Sequence, residues 1–189
     1  MEVLRPGVPP VDIDTRYRKN FDPGIMHFLV DELGLSDAEL LVEHRIWREF
    51  TTREMPVFYP GFLEALTAFK ARGGKLAVVS HSESDVILGH YRAAGAPEPD
   101  LVFGWDFVAE KRKPSPYPVL EILRELELES RDVLVVDDLK PGIVMAQSAG
   151  VDAVGVGWAH DIPEIREFME RTCVAYLPTV DAFARFILD

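Results

Sequence analysis

Val133-Leu134-Val135-Val136-Asp137-Asp138 is the stretch on which the fold turns. A run of four β-branched and aliphatic residues is too short for a surface helix. It is also too uniformly apolar for a strand with one wet face, so it suits a strand of a parallel sheet buried on both faces. Working outward, Lys75 to Ser80 (KLAVVS), Ala153 to Gly157 (AVGVG) and Cys173 to Leu177 (CVAYL) read the same way, with a weaker strand at Leu101 to Phe103. Parallel strands require crossover connections, usually helical, and amphipathic stretches fill the intervals from Gly74 onward. The expected class is α/β, a three-layer Rossmann-like core with a parallel sheet.

The helices have readable ends. Pro60 suits the first turn of a helix with an apolar stripe of Phe62, Leu63, Leu66 and Phe69, and Gly73-Gly74 supplies its left-handed stop. Val119, Leu120, Ile122, Leu123 and Leu126 mark a second stripe, and Pro141 opens a helix that ends at Gly150. Ile162 to Arg171 and Val180 to Leu188 close the chain with two more. Residues 16–58 contain helices but no convincing strand. There, Asp22-Pro23 reads as a cap and first turn leading into IMHFLVDELG, and Ser36 with Glu39 forms a capping box before Leu40, Leu41, Ile46 and Trp47. The segment is either a helical hairpin packed on the core or a small cap over a cleft. The organisation expected is an irregular segment at 1–15, a small helical cap at 16–58 and the core at 59–189.

With 189 residues, 48% of them hydrophobic, the chain is long enough for one well-buried domain with a small insertion. Its 32 acidic and 20 basic residues leave a net charge of −12, which repels phosphate backbones and anionic lipid. Nucleic acid and membrane surfaces are therefore not expected partners, and an anionic substrate must be held by local cations or a metal. Cys173 is the only cysteine, which points to a reducing compartment. No apolar stretch approaches the length of a membrane span, and MEVLRPGVPP lacks the pattern of a secretion signal. A soluble cytoplasmic protein is expected.

Three groups fall where a parallel sheet presents ligands, at the carboxyl ends of strands. Ser80 ends KLAVVS and is followed by His81 and Ser82; its hydroxyl can donate to a phosphate oxygen beside helix amides, or simply cap the next helix. Lys113 precedes Pro114, which keeps it out of the helical region on a stiff segment before a helix. A fixed ammonium there suits an anion site, whereas a solvated basic loop is the plainer alternative. Asp137-Asp138 places two adjacent carboxylates at a strand end, an arrangement that a hard divalent cation such as magnesium would stabilise. The alternative is that one of the pair caps the helix at Pro141.

Taken together, Tyr59-Pro60-Gly61 with Glu64-Ala65-Leu66, then KLAVVS, KPSP, VLVVDD and AQSAGVDAVGVGW resemble the consecutive segments of a haloacid dehalogenase superfamily hydrolase of the phosphoglycolate-phosphatase-like type. The resemblance covers about residues 59–189. It implies a magnesium-dependent hydrolase of small phosphomonoesters, with Ser80, Lys113 and Asp138 catalytic. Ser80, His81 and Lys113 would then face substrate, and Asp137 and Asp138 would hold Mg2+. A small phosphorylated metabolite is the implied partner. Gly142 stands where the longer form of the metal motif has a further aspartate. A receiver domain uses similar groups, but presents its acidic pair first and its lysine last.

The family's nucleophile is the first Asp of a D-x-D-x-[TV] motif closing the first strand. Asp12-Ile13-Asp14-Thr15 is not read as that motif: Arg16 stands where Thr or Val belongs, and Pro6, Pro9 and Pro10 preclude a central strand before it. In the family that strand lies between the ones carrying Ser80 and Asp137. One expectation is that the strand is encoded upstream of Met1, so that the translated upstream sequence would contain an apolar run ending in D-x-D. The other is that the N-terminus or a second copy of the chain fills the position by self-association, leaving a non-catalytic phosphate- or metal-binding protein. Substrate choice is expected to depend on the segment with His27, His44 and Arg45.

Overall fold

The structure is a computed structural model that describes Leu4, Gly7 and residues 9–189. It divides into two compact units, Met1–Met55 and Pro56–Asp189.

In the first unit Asp12 caps α1 (Ile13–Phe21) by accepting the Thr15 amide at 2.9 Å. Helix therefore begins inside the segment expected to be irregular. Asp22 closes α1, its amide donating to Arg18 O, and the Asp22–Pro23 peptide is cis. This corrects the reading of Asp22-Pro23 as a helix opening: the pair follows one helix, and the next, α2 (Ile25–His27), starts only after Gly24 with its φ of 120°. A π-helical turn, Phe28–Glu32, continues it. α3 (Asp37–Arg53) opens on the expected capping box, in which the Ser36 amide donates to Glu39 Oε2 at 2.9 Å. Phe28, Leu29 and Leu35 form this unit's buried centre with Val11, Ile25, Leu33 and Leu40 around it, while Leu41 stays 73% exposed.

The second unit carries the parallel strands. In chain order it runs α4 (Phe62–Ala71), β1 (Ala77–Val79), α5 (Ser84–Ala93), β2 (Leu101–Phe103), α6 (Tyr117–Glu125), β3 (Leu134–Asp137), α7 (Lys140–Ala149), β4 (Asp152–Val156), α8 (Pro163–Thr172), β5 (Ala175–Leu177) and α9 (Val180–Leu188). β4 shows how period-two alternation builds the layers. Val154 and Val156 face Ala65 of α4 and Phe183 of α9, with Leu177 beside them. Gly155 faces the other way, onto α8: a Cβ there would lie 2.6 Å from Met169 Cβ, so glycine lets helix and sheet close up. Val154, Ile143, Ile165 and Met169 are all fully buried, each contributing about 1.5–3 kcal/mol.

The strands form two sheets. β1 pairs with β2, Ala77 opposite Leu101, and β4 lies between β3 and β5, Val135 opposite Ala153 and Gly155 opposite Tyr176. Among the described residues no ladder joins β1 to β3. The expectation that every apolar run is buried on both faces holds for β4 and is corrected for β1 and β3, whose residues are all half-buried. Among the described residues each of those two pairs along one edge only.

Candidate functional site

The site grows from the carboxyl ends of β1 and β3. Ser80 extends the β1 pairing by donating its amide to Phe103 O at 2.9 Å, and its Oγ accepts the Ser82 amide at 3.1 Å. That bond turns the chain and leaves the hydroxyl proton for an acceptor. Ser80 does not cap α5. Asp106 serves the start of that helix instead, its Oδ1 accepting both the amide and the hydroxyl of Ser84 at 2.8 Å. Burial pulls the Asp106 carboxyl upward, and the Ser84 bonds outweigh it, leaving the group below its ordinary range. The loops after β1 and β2 are thereby clasped, with Trp105 N donating to Ser82 O at 2.8 Å. Gly104 permits this closeness, since a Cβ there would stand 2.5 Å from Ser84 N.

His81 sits between the two loops. Its Nε2 lies 3.4 Å from Lys113 O, and its ring meets Trp105 edge-on at 5.6 Å. Burial first, and then the Lys113 and Arg112 cations, hold the imidazole below its ordinary pKa, which favours a neutral ring near pH 7.

Lys113 Nζ donates to Asp137 Oδ2 at 2.7 Å, with side chains only 14% and 9% exposed. The pair ties the segment before α6 to the end of β3, 24 residues apart in sequence. Asp137 Oδ1 accepts the Leu139 amide at 2.9 Å, shaping the turn into α7. Its carboxylate occupies the space that a side chain at position 142 would need: a Cβ on Gly142 would fall 2.0 Å from Asp137 Oδ2. Asp138 beside it is half-buried. Its carboxyl is pushed above the ordinary range by burial and then by Asp137, against smaller opposing effects of Lys113 and His160.

Ser80, His81, Lys113, Asp137 and Asp138 all belong to the second unit. Direct contacts join His81 to Lys113 and Lys113 to Asp137, and Ser80 is bound in sequence to His81. His160 is an addition that the sequence reading lacked: its Nε2 lies 3.1 Å from Asp138 O, at the backbone of the acidic pair. The available signal was its place just beyond the end of β4, where strand-end residues gather. Trp105, Arg112 and Asp106 were also absent from that reading. His27, His44 and Arg45 belong to the first unit; His27 Nε2 stands 3.7 Å from Asp31 Oδ2, and His44 stacks on Trp47 at 6.1 Å.

Among the described residues no group of three or more His, Cys, Asp or Glu side chains gathers around a metal position. Two carboxylates are nonetheless a fitting donor set for magnesium, which commonly uses one or two, together with water and substrate phosphate oxygens. Asp138 has the electrostatics such an ion relieves, being a half-buried carboxyl raised by desolvation and by the neighbouring Asp137 charge.

The sequence matches the haloacid dehalogenase-like hydrolase family over residues 27–156, more than half of the chain. It is 32% identical to a phosphoglycolate phosphatase of Nitrosospira multiformis over 123 residues, 65% of this chain and 53% of that protein. It is 27% identical to the pyrophosphatase PpaX of Bacillus pumilus over 144 residues, 71% of this chain and 66% of that one. The chain spans about half the length of the phosphoglycolate phosphatases it matches. A haloacid dehalogenase-like family hydrolase from Streptococcus pneumoniae superposes with a TM-score of 0.72 at 13% identity, covering 95% of this chain and 84% of its own. No helix among the described residues is long and apolar enough to cross a membrane.

Proposed function

The chain belongs to the haloacid dehalogenase-like hydrolase family, and we propose that its second unit is the phosphoryl- and magnesium-binding core of a hydrolase of small phosphomonoesters. The observation that carries this reading is Lys113 set 2.7 Å from Asp137 at the end of β3, in a protein of net charge −12. A nearly buried ammonium gives an anionic group one strong local attraction that the overall field does not provide. The Ser80 hydroxyl would donate to a phosphoryl oxygen, and Lys113 would neutralise the group while keeping its tie to the acidic pair. His81, neutral at pH 7, would offer a hydrogen bond at the substrate's edge without adding charge. Asp137 and Asp138 would hold Mg2+, which supplies charge stabilisation to the phosphoryl oxygens when bound. Residues 16–58 would act as the small cap that selects the substrate, a phosphorylated metabolite of the cytoplasm.

In this family the nucleophile is a carboxylate on a strand lying between the strands that carry Ser80 and Asp137. Among the described residues β1 and β3, both half-buried, pair along one edge only, which favours a second reading in which the chain binds phosphate and metal without turnover. A strand completing the sheet, from a second copy or another segment, would supply both the missing ladder bonds and the reacting carboxylate. Asp12 does not serve, being engaged as the cap of α1.

A phosphate-release assay with magnesium over sugar phosphates, phosphoglycolate and pyrophosphate separates the two readings. Release that Lys113→Ala abolishes supports the hydrolase. No release from any substrate, with phosphate binding intact and lost on Lys113→Ala, supports the binder. Release or binding indifferent to Lys113→Ala refutes both.

A further inference from the structure

Beyond Lys113 the same loop cluster holds a cation that the phosphoryl-binding reading does not use. Arg112 immediately precedes Lys113, on extended backbone. The Arg112 guanidinium lies 4.0 Å from the centre of the Trp105 ring, and its Nε donates to Phe107 O. Two independent contacts thus fix the fork, and the Nε bond leaves both Nη groups as donors. Asp106 and Glu110 act on this cation from a distance. Among the described residues neither comes within the 4.0 Å of an ion pair, and Asp106 Oδ1 is committed to Ser84. His81 touches the Lys113 carbonyl with its Nε2 and the Trp105 ring with its own. Trp105 thus carries both His81 and Arg112, next to the residue that binds Asp137.

We propose that Arg112, laid on Trp105 next to His81, forms a second anion subsite that recognises a further anionic group on the leaving group of the phosphoryl substrate. A guanidinium presenting two parallel donors fits a carboxylate or a phosphoryl group in a bidentate manner, and its planar stack keeps it ready for one. The ligand class is a small molecule with two anionic groups, one at Lys113 and one at Arg112. This rests on Lys113 being the phosphoryl-binding cation, and it adds the residue that reads the rest of the molecule.

Titration calorimetry on the full chain at fixed free magnesium tests it, with inorganic phosphate, phosphonoacetate and pyrophosphate as probes. The wild type binds at least one two-anion probe about tenfold or more tighter than phosphate. Arg112→Gln erases that gain and leaves phosphate affinity within about twofold, whereas Arg112→Lys, which keeps the charge but loses the fork, falls between. A gain confined to phosphonoacetate identifies a carboxylate as the second group, and a gain confined to pyrophosphate a phosphoryl. Two-anion probes binding no tighter than phosphate, or Arg112→Gln weakening all three probes equally, overturns the subsite while leaving Lys113 as the phosphoryl cation. Phosphate affinity unchanged by Lys113→Ala overturns the phosphoryl reading itself, and the subsite with it.

Discussion

Replacing Gly142 by alanine tests how tightly the acidic pair is packed into the start of α7. The added Cβ would lie 2.0 Å from Asp137 Oδ2, 2.3 Å from its Cγ and 2.6 Å from its Cβ, so the carboxylate must turn away. Both of its bonds are then lost, the one from Lys113 Nζ at 2.7 Å and the one from Leu139 N at 2.9 Å. The charge-assisted bond contributes about 1.5–3 kcal/mol and the amide bond about 1 kcal/mol. Residual crowding adds about 1 kcal/mol, and alanine's better helix propensity returns about 0.5–1 kcal/mol. The net loss is about 3 kcal/mol, a fall in Tm of about 6–12 °C for a chain of this size. Circular dichroism melts against Gly89→Ala provide the control: Gly89 is inside α5, a Cβ there meets nothing within 4 Å, and that variant should gain about 0.5–1 kcal/mol. Lys113→Met should cost little more once Gly142→Ala is present, because its partner has already moved. Gly142→Ala melting at or above the wild type, in step with Gly89→Ala, would refute the reasoning.

Gly155→Ala should lower stability by about 1–3 kcal/mol, because the new methyl meets Met169 Cβ at 2.6 Å and Cγ at 2.9 Å; urea unfolding measures the change, and no shift in midpoint would show that α8 moves freely. His81 predicts a pH dependence. Its folded pKa is lowered below the reference value of 6.5, so the folded state binds fewer protons there than the unfolded chain, and stability is full above 6.5 and declines as pH falls toward the folded pKa. The wild type should lose more urea stability between pH 7 and 5 than His81→Asn does, whereas parallel losses would count against a buried neutral imidazole.

Much of this architecture was legible because a parallel sheet writes its strands as short unbroken apolar runs and places its polar residues where they end. The resemblance implied Lys113 and Asp137 at one site without pairing them, and the capping box at Ser36 follows from local chemistry alone. What was not legible depends on which segments become neighbours. The half-burial of β1 and β3 is one such property, since nothing in AVV or LVVD says which edges pair among the described residues. The Asp106–Ser84 clasp joins residues 22 positions apart, and it is this clasp that brings Trp105, and with it Arg112, to His81. Gly142 read as a missing ligand, whereas its structural part is to leave room for the Asp137 carboxylate, which only a side-chain conformation reveals. At Asp22-Pro23 the local signal pointed the wrong way: an aspartate before proline resembles a helix start, but here the amide of Asp22 completes the preceding helix.

The claim beneath all of this is the proposal that Ser80 and Lys113 hold one phosphoryl group beside a magnesium ion carried by Asp137 and Asp138. A crystal soaked in tungstate, a phosphate mimic visible by its anomalous scattering, measures that directly. The account predicts a single strong peak within hydrogen-bonding reach of both Ser80 Oγ and Lys113 Nζ, and its loss in Lys113→Ala crystals. A peak bound elsewhere, or one at this rim that persists without Lys113, would contradict it.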